Sequence, residues 1–147
     1  MDFPDEPEII RFQSQHLEAS ARLYLESRVA TFTFMDTDEY CLTDFVKDTD
    51  GEEIWVAVEQ GAVIGFISIW KPENFIHHLF VSPKSLKQGV GLKLLNHAKD
   101  LSNNLSLKCL VQNTNATQFY LSQGFKIFET VGNGPENYHL MSFDVQT

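Results

Sequence analysis

The sequence predicts a mixed α/β fold, also describable as α+β, in which a central and mostly antiparallel sheet of about seven strands is flanked by about four helices. Short apolar segments alternate with a period of two, and longer segments repeat at helical spacing. The two kinds of segment follow one another in the order β, two helices, three strands, helix, strand, helix, two strands. The 147 residues fit one domain, 1–147, with a core from about residue 8 to 145.

The first third of the chain predicts one strand and two helices. Glu8–Gln13 is an apolar-rich run typical of a short strand, and Ser14 can cap the helix that follows. That helix is indicated by side chains at helical spacing, namely Leu17, Ala21, Tyr24, Leu25 and Arg28. Thr37 can cap a second helix, whose apolar side would be Leu42, Phe45 and Val46.

The middle of the chain predicts an antiparallel hairpin and a further strand. Ile54–Val58 shows the period of a strand, and a tight turn at residues 59–62 leads to a second strand, Val63–Trp70. Phe75–Val81 is the next strand, and Pro83 closes it.

The last part of the chain predicts two helices among three strands. A helix runs from Gly89 to about Leu101, with one apolar side formed by Val90, Leu94, Leu95 and Ala98. The remaining segments are, in order, a strand Leu105–Val111, a helix Asn115–Ser122 that stops at Gly124, and strands Lys126–Val131 and Tyr138–Val145.

Composition and charge exclude several classes of function. The chain is 43% hydrophobic and 21% charged, and its net charge of −9 argues against nonspecific binding to nucleic acid. No apolar run approaches the roughly 18–20 residues that span a membrane. The N-terminal MDFPDEPEII lacks the features of a signal peptide, so we expect a cytoplasmic protein with no membrane partner. Cys41 and Cys109 show no metal or redox spacing, and we expect both to be buried thiols.

Charge is unevenly distributed along the chain. Residues 1–73 carry a net charge of −11, residues 74–128 carry +5, and residues 129–147 carry −3. This asymmetry indicates either two ligands of opposite sign, one ligand with two different ends, or a surface patterned for solubility.

The first notable junction between a strand and a helix is Gln88-Gly89-Val90-Gly91. Glycines here allow backbone N–H groups to approach a ligand, and a helix N-terminus attracts anions such as phosphate. Nearby positive charge comes from Lys84, Lys87 and Lys93. A tight turn is the alternative. The tract lacks the Gly-Lys-Ser/Thr of a nucleoside-triphosphate loop and the third glycine of a dinucleotide fingerprint.

The second junction lies in LVQNTNATQFYLSQGF, residues 110–125. Asn113 and Asn115 can cap the helix start, and the small Ala116 allows close approach of another group. Phe119 and Tyr120 are adjacent, so one can fill the core while the other faces a cleft. The Tyr120 hydroxyl suits a general acid, although a capped helix with two core aromatics is the alternative.

Together, the two junctions resemble the GNAT superfamily of acetyl-CoA-dependent N-acetyltransferases. Leu79–Leu95 is similar to that family's strand, phosphate loop and helix. Asn113–Phe125 is similar to its Asn-x-x-Ala-x-x-Phe-Tyr-x-x-x-Gly-Phe segment. The element order matches from about Glu8 to Val145. The resemblance implies a twisted sheet that splays between strands four and five, and direct transfer of an acetyl group from acetyl-CoA to a primary amine in a ternary complex.

The resemblance also implies roles for individual residues. Backbone groups near Leu79 and Val81 would face the acetyl-pantetheine arm, and one N–H would polarise the thioester carbonyl. Tyr120 would protonate the departing thiolate. The remaining cofactor-binding residues divide into a pyrophosphate cradle, formed by Lys87, Gln88, Gly89, Val90, Gly91 and Leu92, and a cofactor path along Asn113, Ala116 and Phe119.

One position departs from the family pattern. Relatives usually carry Arg or Gln three residues before the first glycine of the loop, where this chain has Leu86. Because leucine offers no hydrogen bond, cofactor affinity would be reduced unless Lys84 or Lys87 compensates. A CoA-binding or regulatory module without catalysis is therefore the rival hypothesis.

Some members of the family carry a carboxylate base on the fourth strand, and the resemblance implies that His77 occupies that position here. Strand alternation predicts that His77 and His78 point to opposite faces, so that at most one faces the acceptor cleft. A polar strand residue without catalytic function is the alternative for His77, and Glu26 and Glu73 are weaker candidates for the base. No third ligand accompanies the histidine pair at a useful spacing, so we expect no metal site.

The acceptor is expected to be a small-molecule amine, with a protein or peptide amine as the second choice. Eight acidic residues lie between Asp36 and Glu53, a surface that attracts a cation. Phe32, Phe34 and Tyr40 could contact an apolar part of the acceptor. The sequence leaves a homodimer open.

Overall fold

Seven strands form one continuous sheet in the order β1-β2-β3-β4-β5-β7-β6. The computed structural model describes residues 6–33, 36–86 and 88–145. The strands are β1 Glu8–Arg11, β2 Glu53–Glu59, β3 Ala62–Trp70, β4 Phe75–Val81, β5 Asn104–Leu110, β6 Lys126–Val131 and β7 Tyr138–Asp144. The helices are α1 Leu17–Thr31, α2 Asp44–Asp48, α3 Val90–Leu101 and α4 Thr114–Ser122. The predicted mixed fold with seven strands and four helices is confirmed.

The sheet is antiparallel at every strand pair except one. β4 and β5 run parallel, and they pair only at Phe75 with Ser106 and at Ile76 with Leu107. Beyond Ile76 the two strands separate, although β4 continues to pair with β3 as far as Val81. The predicted splay between strands four and five is therefore present, and it opens a gap in the middle of the sheet.

Two hydrophobic clusters cover the two faces of the sheet. Alternation along β3 sends Phe66 into the cluster that packs on α1 and Ile67 into the cluster that packs on α3. The four residues predicted for the apolar side of α3 are all buried, as expected from their helical spacing. A helix therefore covers each face of β3, and this holds in place the strand that pairs with β4.

Gly65 in β3 lets α3 lie unusually close to the sheet. A Cβ built at Gly65 would stand 3.1 Å from Leu94 Cδ1, from Val90 Cγ1 and from the Phe80 carbonyl oxygen. Such separations are shorter than ordinary van der Waals contact, so only glycine fits without displacing the helix or the neighbouring strand.

Three expectations for the first half of the chain are wrong in detail. A short 3₁₀ turn, Ser14–His16, precedes α1, because the Gln13 N–H donates to Nδ1 of His16 at 3.0 Å. The second helix begins after Thr43 rather than Thr37, and of its predicted apolar side only Phe45 is buried. Cys41 is exposed, not buried, whereas Cys109 is buried as expected. Within the described ranges, no helix is long and apolar enough to cross a membrane.

We expect the substitution Gly65→Ala to lower the free energy of unfolding by about 1–3 kcal/mol, because the added methyl group overpacks the contact between α3 and β3. Chemical denaturation measures this change. Gly134→Ala is the matched control, because a Cβ there meets no described atom within 4 Å. The control should stay within roughly 0.5 kcal/mol of the wild type. Equal effects of both substitutions would contradict the tight contact at Gly65.

Candidate active site

The gap between β4 and β5 is a cavity of about 410 Å³. Its walls come from residues 76–80 of β4, residues 108–110 of β5, the start of α4 and the inward face of α1. Five of the predicted site residues line it, namely His77, Leu79, Asn113, Ala116 and Tyr120. The splay of the sheet therefore brings residues of β4 and of the second junction into one chamber, whereas the predicted cradle residues 88–92 are absent from its described lining.

The edge of β4 that faces this gap presents unpaired backbone donors. The Ser82 N–H donates to the Ile64 carbonyl at 2.8 Å, so alternate N–H groups along the end of β4 face β3. The N–H groups of Leu79 and Val81 consequently face the opposite edge, from which β5 has departed. The Val81 carbonyl on that edge accepts a hydrogen bond from Ser27 Oγ at 3.2 Å. The N–H of Leu79, like that of Val81, is thus directed toward the edge from which β5 has departed.

The start of α3 forms a cradle of backbone donors. Gly89 adopts a left-handed φ of +80° immediately before the helix, and a Cβ there would meet no described atom within 4 Å. The Lys93 N–H bonds to the Gly89 carbonyl at 3.0 Å as the first intrahelical donor. The N–H groups of Val90, Gly91 and Leu92 therefore have no acceptor within the helix. This arrangement fits a pyrophosphate group.

The side chains around the cradle contribute less than its backbone. Gln88 is exposed, and Leu86 is 57% exposed and offers no polar contact. Lys93 is engaged with Glu6, at a distance of 3.7 Å between Nζ and Oε2. Lys87, predicted to assist the cradle, lies outside the described residues. At the start of α3, the structure therefore offers an anion mainly backbone N–H groups, whose positions do not depend on which side chains surround them.

The start of α4 closes the other side of the cofactor path. Asn113 caps the helix, with its side-chain oxygen accepting from the Ala116 N–H at 3.3 Å. Asn113 also lines the cavity, and its side-chain NH₂ is a potential donor group there. A Cβ at Gly91 would lie 3.8 Å from the Phe119 ring and 3.7 Å from Val81 Cγ2. The predicted cofactor residues of α3, α4 and β4 are therefore neighbours in space.

Tyr120 both packs in the core and lines the cavity. Its ring meets Phe119 edge-on at 5.3 Å and Phe125 at 5.5 Å, and the residue is only 8% exposed. Burial raises the pKa of Tyr120 well above its ordinary value, and the neighbouring Cys109 raises it further. The phenol therefore keeps its proton at neutral pH.

A β-bulge overturns the expectation that His77 and His78 point to opposite faces. Ser68 of β3 pairs with His78 and Ile69 pairs with Ile76, so His77 is an extra residue in β4 without a partner in β3. The bulge breaks the alternation of side chains. The two imidazole rings lie 4.1 Å apart, and both line the cavity.

Neighbouring groups hold the buried His78 ring in place. Burial and, to a smaller extent, the adjacent His77 lower the pKa of His78 to about 4, so the ring is neutral at physiological pH. Its Nε2 donates to the Asp48 carbonyl at 3.3 Å. The Tyr24 ring meets it edge-on at 5.2 Å, and the Tyr24 hydroxyl donates to Asp48 Oδ2 at 2.7 Å. These contacts fix the orientation of the ring.

His77 is paired with a buried carboxylate. Its Nδ1 makes a short contact with Oε2 of Glu52, whose side chain is only 6% exposed. Because a carboxylate oxygen accepts, Nδ1 carries the proton and Nε2 of a neutral His77 carries the lone pair. The His77 side chain is 47% exposed, so this lone pair is accessible. Sequence reasoning missed Glu52 because only the packing of β2, β3 and β4 brings it to a residue 25 positions away.

The acceptor side of the cavity is formed mainly by α1 and the segment after it. The Arg28 guanidinium lies 3.7 Å from the Tyr24 ring centroid and 4.1 Å from that of Tyr40, and its Nη2 bonds to Asp44 Oδ2 at 3.2 Å. The predicted acceptor contacts Phe32 and Tyr40 line the cavity, whereas Phe34 lies outside the described residues.

The weaker base candidates lie elsewhere. Glu26 and Glu73 are both exposed and are absent from the cavity lining among the described residues. His77 is therefore the candidate base that the fold brings to the gap.

Comparisons with known proteins identify relatives over most of the chain. The sequence profile of the acetyltransferase (GNAT) family matches residues 17–125. The peptidyl-lysine N-acetyltransferase YiaC of Escherichia coli K12 is 31% identical over 121 residues, which cover 80% of this chain and 82% of that protein. The peptidyl-lysine N-acetyltransferase YjaB of Salmonella typhimurium is 33% identical over 90 residues, covering 60% of this chain and 59% of that protein.

A solved structure has the same fold. The PaiA N-acetyltransferase from Thermoplasma acidophilum, in complex with coenzyme A, superposes with a TM-score of 0.80. The match covers 94% of this chain and 98% of that one, at 20% sequence identity.

We expect acid to weaken the link between α1 and α2 at Arg28 and Asp44. Hydrogen bonds from the Cys41 N–H and from Arg28 lower the pKa of Asp44 below its ordinary value of 3.8, against the opposing effect of burial. The ionised carboxylate therefore contributes stability above the ordinary pKa, and this contribution is lost as pH falls through the lowered folded pKa. Melting temperatures of the wild type and Asp44→Asn should differ most above about pH 5 and converge toward pH 2. A difference that does not depend on pH would contradict this link.

Proposed function

The chain belongs to the GNAT family of acetyltransferases, and we propose that it moves the acetyl group of acetyl-CoA directly to the primary amine of a lysine side chain in a peptide. It is an N-acetyltransferase with acetyl-CoA as its cosubstrate. The observation that carries the proposed mechanism is the single cavity between β4 and β5, which both Tyr120 and His77 line.

Two lines of support favour a peptidyl lysine over the small-molecule amine expected from the sequence. YiaC and YjaB are both named peptidyl-lysine N-acetyltransferases. Acidic residues are dense between Asp36 and Glu53, and Asp48 of this segment lines the cavity, so the segment would attract the cationic side chain. A small-molecule amine is the second candidate, because a cavity of about 410 Å³ with Tyr24, Phe32 and Tyr40 in its wall is also of the size and character of small-ligand sites.

Acetyl-CoA, when bound, supplies a thioester whose carbonyl carbon forms the new C–N bond while the C–S bond breaks. The N–H groups at the start of α3 hold the phosphates, and Asn113 donates to the cofactor from the start of α4. The Leu79 N–H, directed into the gap, donates to the carbonyl oxygen as negative charge develops there. These donors are already oriented by the sheet and by the helix start, which limits the reorganisation that the reaction requires.

Proton movements involve His77 and Tyr120. Nε2 of His77 takes the proton that the amine nitrogen loses, and Glu52 orients the ring and stabilises the charge it acquires. Tyr120 gives its phenolic proton to the departing sulfur. Cys109 also lines the cavity, but burial raises the pKa of its thiol. The thiol form is a poor nucleophile, which supports direct transfer without an acyl-cysteine.

The proposed function is tested with purified protein, acetyl-CoA and a peptide that contains one lysine. We expect release of free CoA thiol together with the mass increase of one acetyl group on the peptide. The same peptide with arginine in place of lysine is the control, and a panel of small amines tests the second candidate. Turnover on small amines alone would overturn the peptide substrate. Tight binding of acetyl-CoA without turnover on any amine would favour a CoA-binding module that lacks catalysis.

We expect Tyr120→Phe to lower kcat by about 10²–10⁴-fold, because the departing sulfur loses its proton donor. The affinity for acetyl-CoA should change little, since the ring that fills the wall is retained. Steady-state kinetics and calorimetric titration with CoA measure the two quantities separately. An unchanged kcat would remove Tyr120 from the reaction.

We expect His77→Ala to lower kcat by about 10²-fold or more, and Glu52→Gln to lower it by a smaller factor because the ring loses its charged partner. KM for the acceptor should change much less than kcat in both variants. Glu52→Asp, which retains the carboxylate, should recover part of the activity, as a positioning role requires. His139→Ala is the control, since His139 bonds to Thr130 Oγ1 at 2.8 Å between β6 and β7 and is absent from the described lining of the cavity. A loss in His139→Ala equal to that in His77→Ala would contradict the assignment.

A further inference from the structure

The bulge in β4 assembles a group of metal-ligand side chains that the sequence did not indicate. One nitrogen from each of His77 and His78 and one carboxylate oxygen of Glu52 all lie within 4.8 Å of one another. We propose that this cluster reversibly binds a divalent ion of the zinc class, and that the bound ion inhibits acetyl transfer by occupying the base. The inhibitory consequence rests on the proposed function, whereas the binding itself does not.

Glu52 supplies the first argument for a built site. Its side chain is 6% exposed, and Oε2 is engaged by His77. The other oxygen, Oε1, is buried and has no hydrogen-bond partner in the described part of the chain. A buried carboxylate oxygen without a partner is costly, and a cation at this position would remove that cost.

The ligand types select the kind of ion. Two imidazoles and one carboxylate are a common three-ligand set for zinc, which leaves a fourth position open to water. Ligand bonds of about 2.0–2.2 Å require ligand atoms on the order of 3.3–3.6 Å apart in a tetrahedron. The ligand atoms already lie within 4.8 Å of one another, and the half-exposed His77 side chain has room to adjust. Magnesium and calcium prefer oxygen ligands, so they should bind weakly here.

Neighbouring groups orient the ligand side chains, and a second cavity gives an ion access to them. The Asp48 carbonyl accepts from Nε2 of His78, which leaves the Nδ1 lone pair of that ring for an ion. A second cavity of about 540 Å³ adjoins His77 and Glu52 and is lined also by Asp48 and Asp50. Lys47 lies on the same cavity, where it partly offsets the acidic charge. His77 lines both this cavity and the one between β4 and β5, so an ion entering from the acidic side reaches the cluster.

Binding would change which nitrogen of His77 carries the proton. In the metal-free pair, Nδ1 carries the proton toward Glu52 and Nε2 has the lone pair that accepts a proton from the amine. An ion bound at Nδ1 takes the lone pair of that nitrogen, and the single proton of the neutral ring then lies on Nε2. Nε2 can no longer act as a base, so acetyl transfer stops while the ion is bound.

The binding is tested by calorimetric titration of tag-free protein with zinc chloride in the absence of CoA, whose thiol would itself bind zinc. We expect one ion per chain, weakened at least about tenfold in His77→Ala and in Glu52→Gln. His139→Ala, which removes a histidine outside the cluster, should bind zinc as the wild type does. Magnesium chloride should give no saturable binding, and cobalt chloride should give the visible absorption of a four-coordinate site.

Three results would overturn the proposal: no saturable zinc binding, binding unaffected by His77→Ala and Glu52→Gln, or binding lost in His139→Ala. Circular dichroism of each variant checks that it is folded, and His77→Gln provides a second, milder variant at the exposed position. Inhibition is measured separately, as loss of turnover at zinc concentrations that saturate the site and its recovery on chelation. Because the titration needs no turnover, zinc binding can be measured even if the protein does not transfer acetyl groups as proposed.

Discussion

The short parallel pairing of β4 with β5 is the constraint on which the rest of the structure depends. Two residue pairs hold the strands together at one end, and antiparallel pairing with β3 continues along β4 beyond the point where β5 departs. The resulting gap cannot be filled by the sheet, and α1 and α4 close its two sides. Unpaired N–H groups on the edge of β4 remain accessible only because the gap persists.

The second determinant is the bulge at His77. One extra residue in β4 places two histidines on the same cavity and brings one of them to Glu52. The same irregularity thus produces both the proposed base with its carboxylate partner and the proposed set of metal ligands. The two functions exclude each other, because both require the same imidazole. A bulge beside an active site is a recurring way of redirecting a side chain without altering the rest of a sheet.

The parts of the fold that depend on local pattern were predictable from the sequence. The bounds of β4 and the apolar side of α3 follow from periods of two and 3.6 residues, which the backbone imposes. The bulge was not predictable, since it is a property of the register between β3 and β4 rather than of β4 alone. Glu52 was counted only as one of eight acids, because its partner lies two strands away in the sheet. The second helix was overestimated because Leu42 and Val46 are apolar but exposed.

The proposed cosubstrate site joins the backbone cradle at the start of α3 to the gap between β4 and β5, and nuclear magnetic resonance of the free protein titrated with CoA tests this arrangement most directly. We expect the largest amide shifts at Leu79, Val81, residues 89–92 and residues 113–116, with little change in the hairpin of β6 and β7. The exposed Leu86 should shift less than the helix start, since the backbone supplies the donors. Shifts confined to the α3 end, or located away from both junctions, would contradict a single site shared by cosubstrate and acceptor.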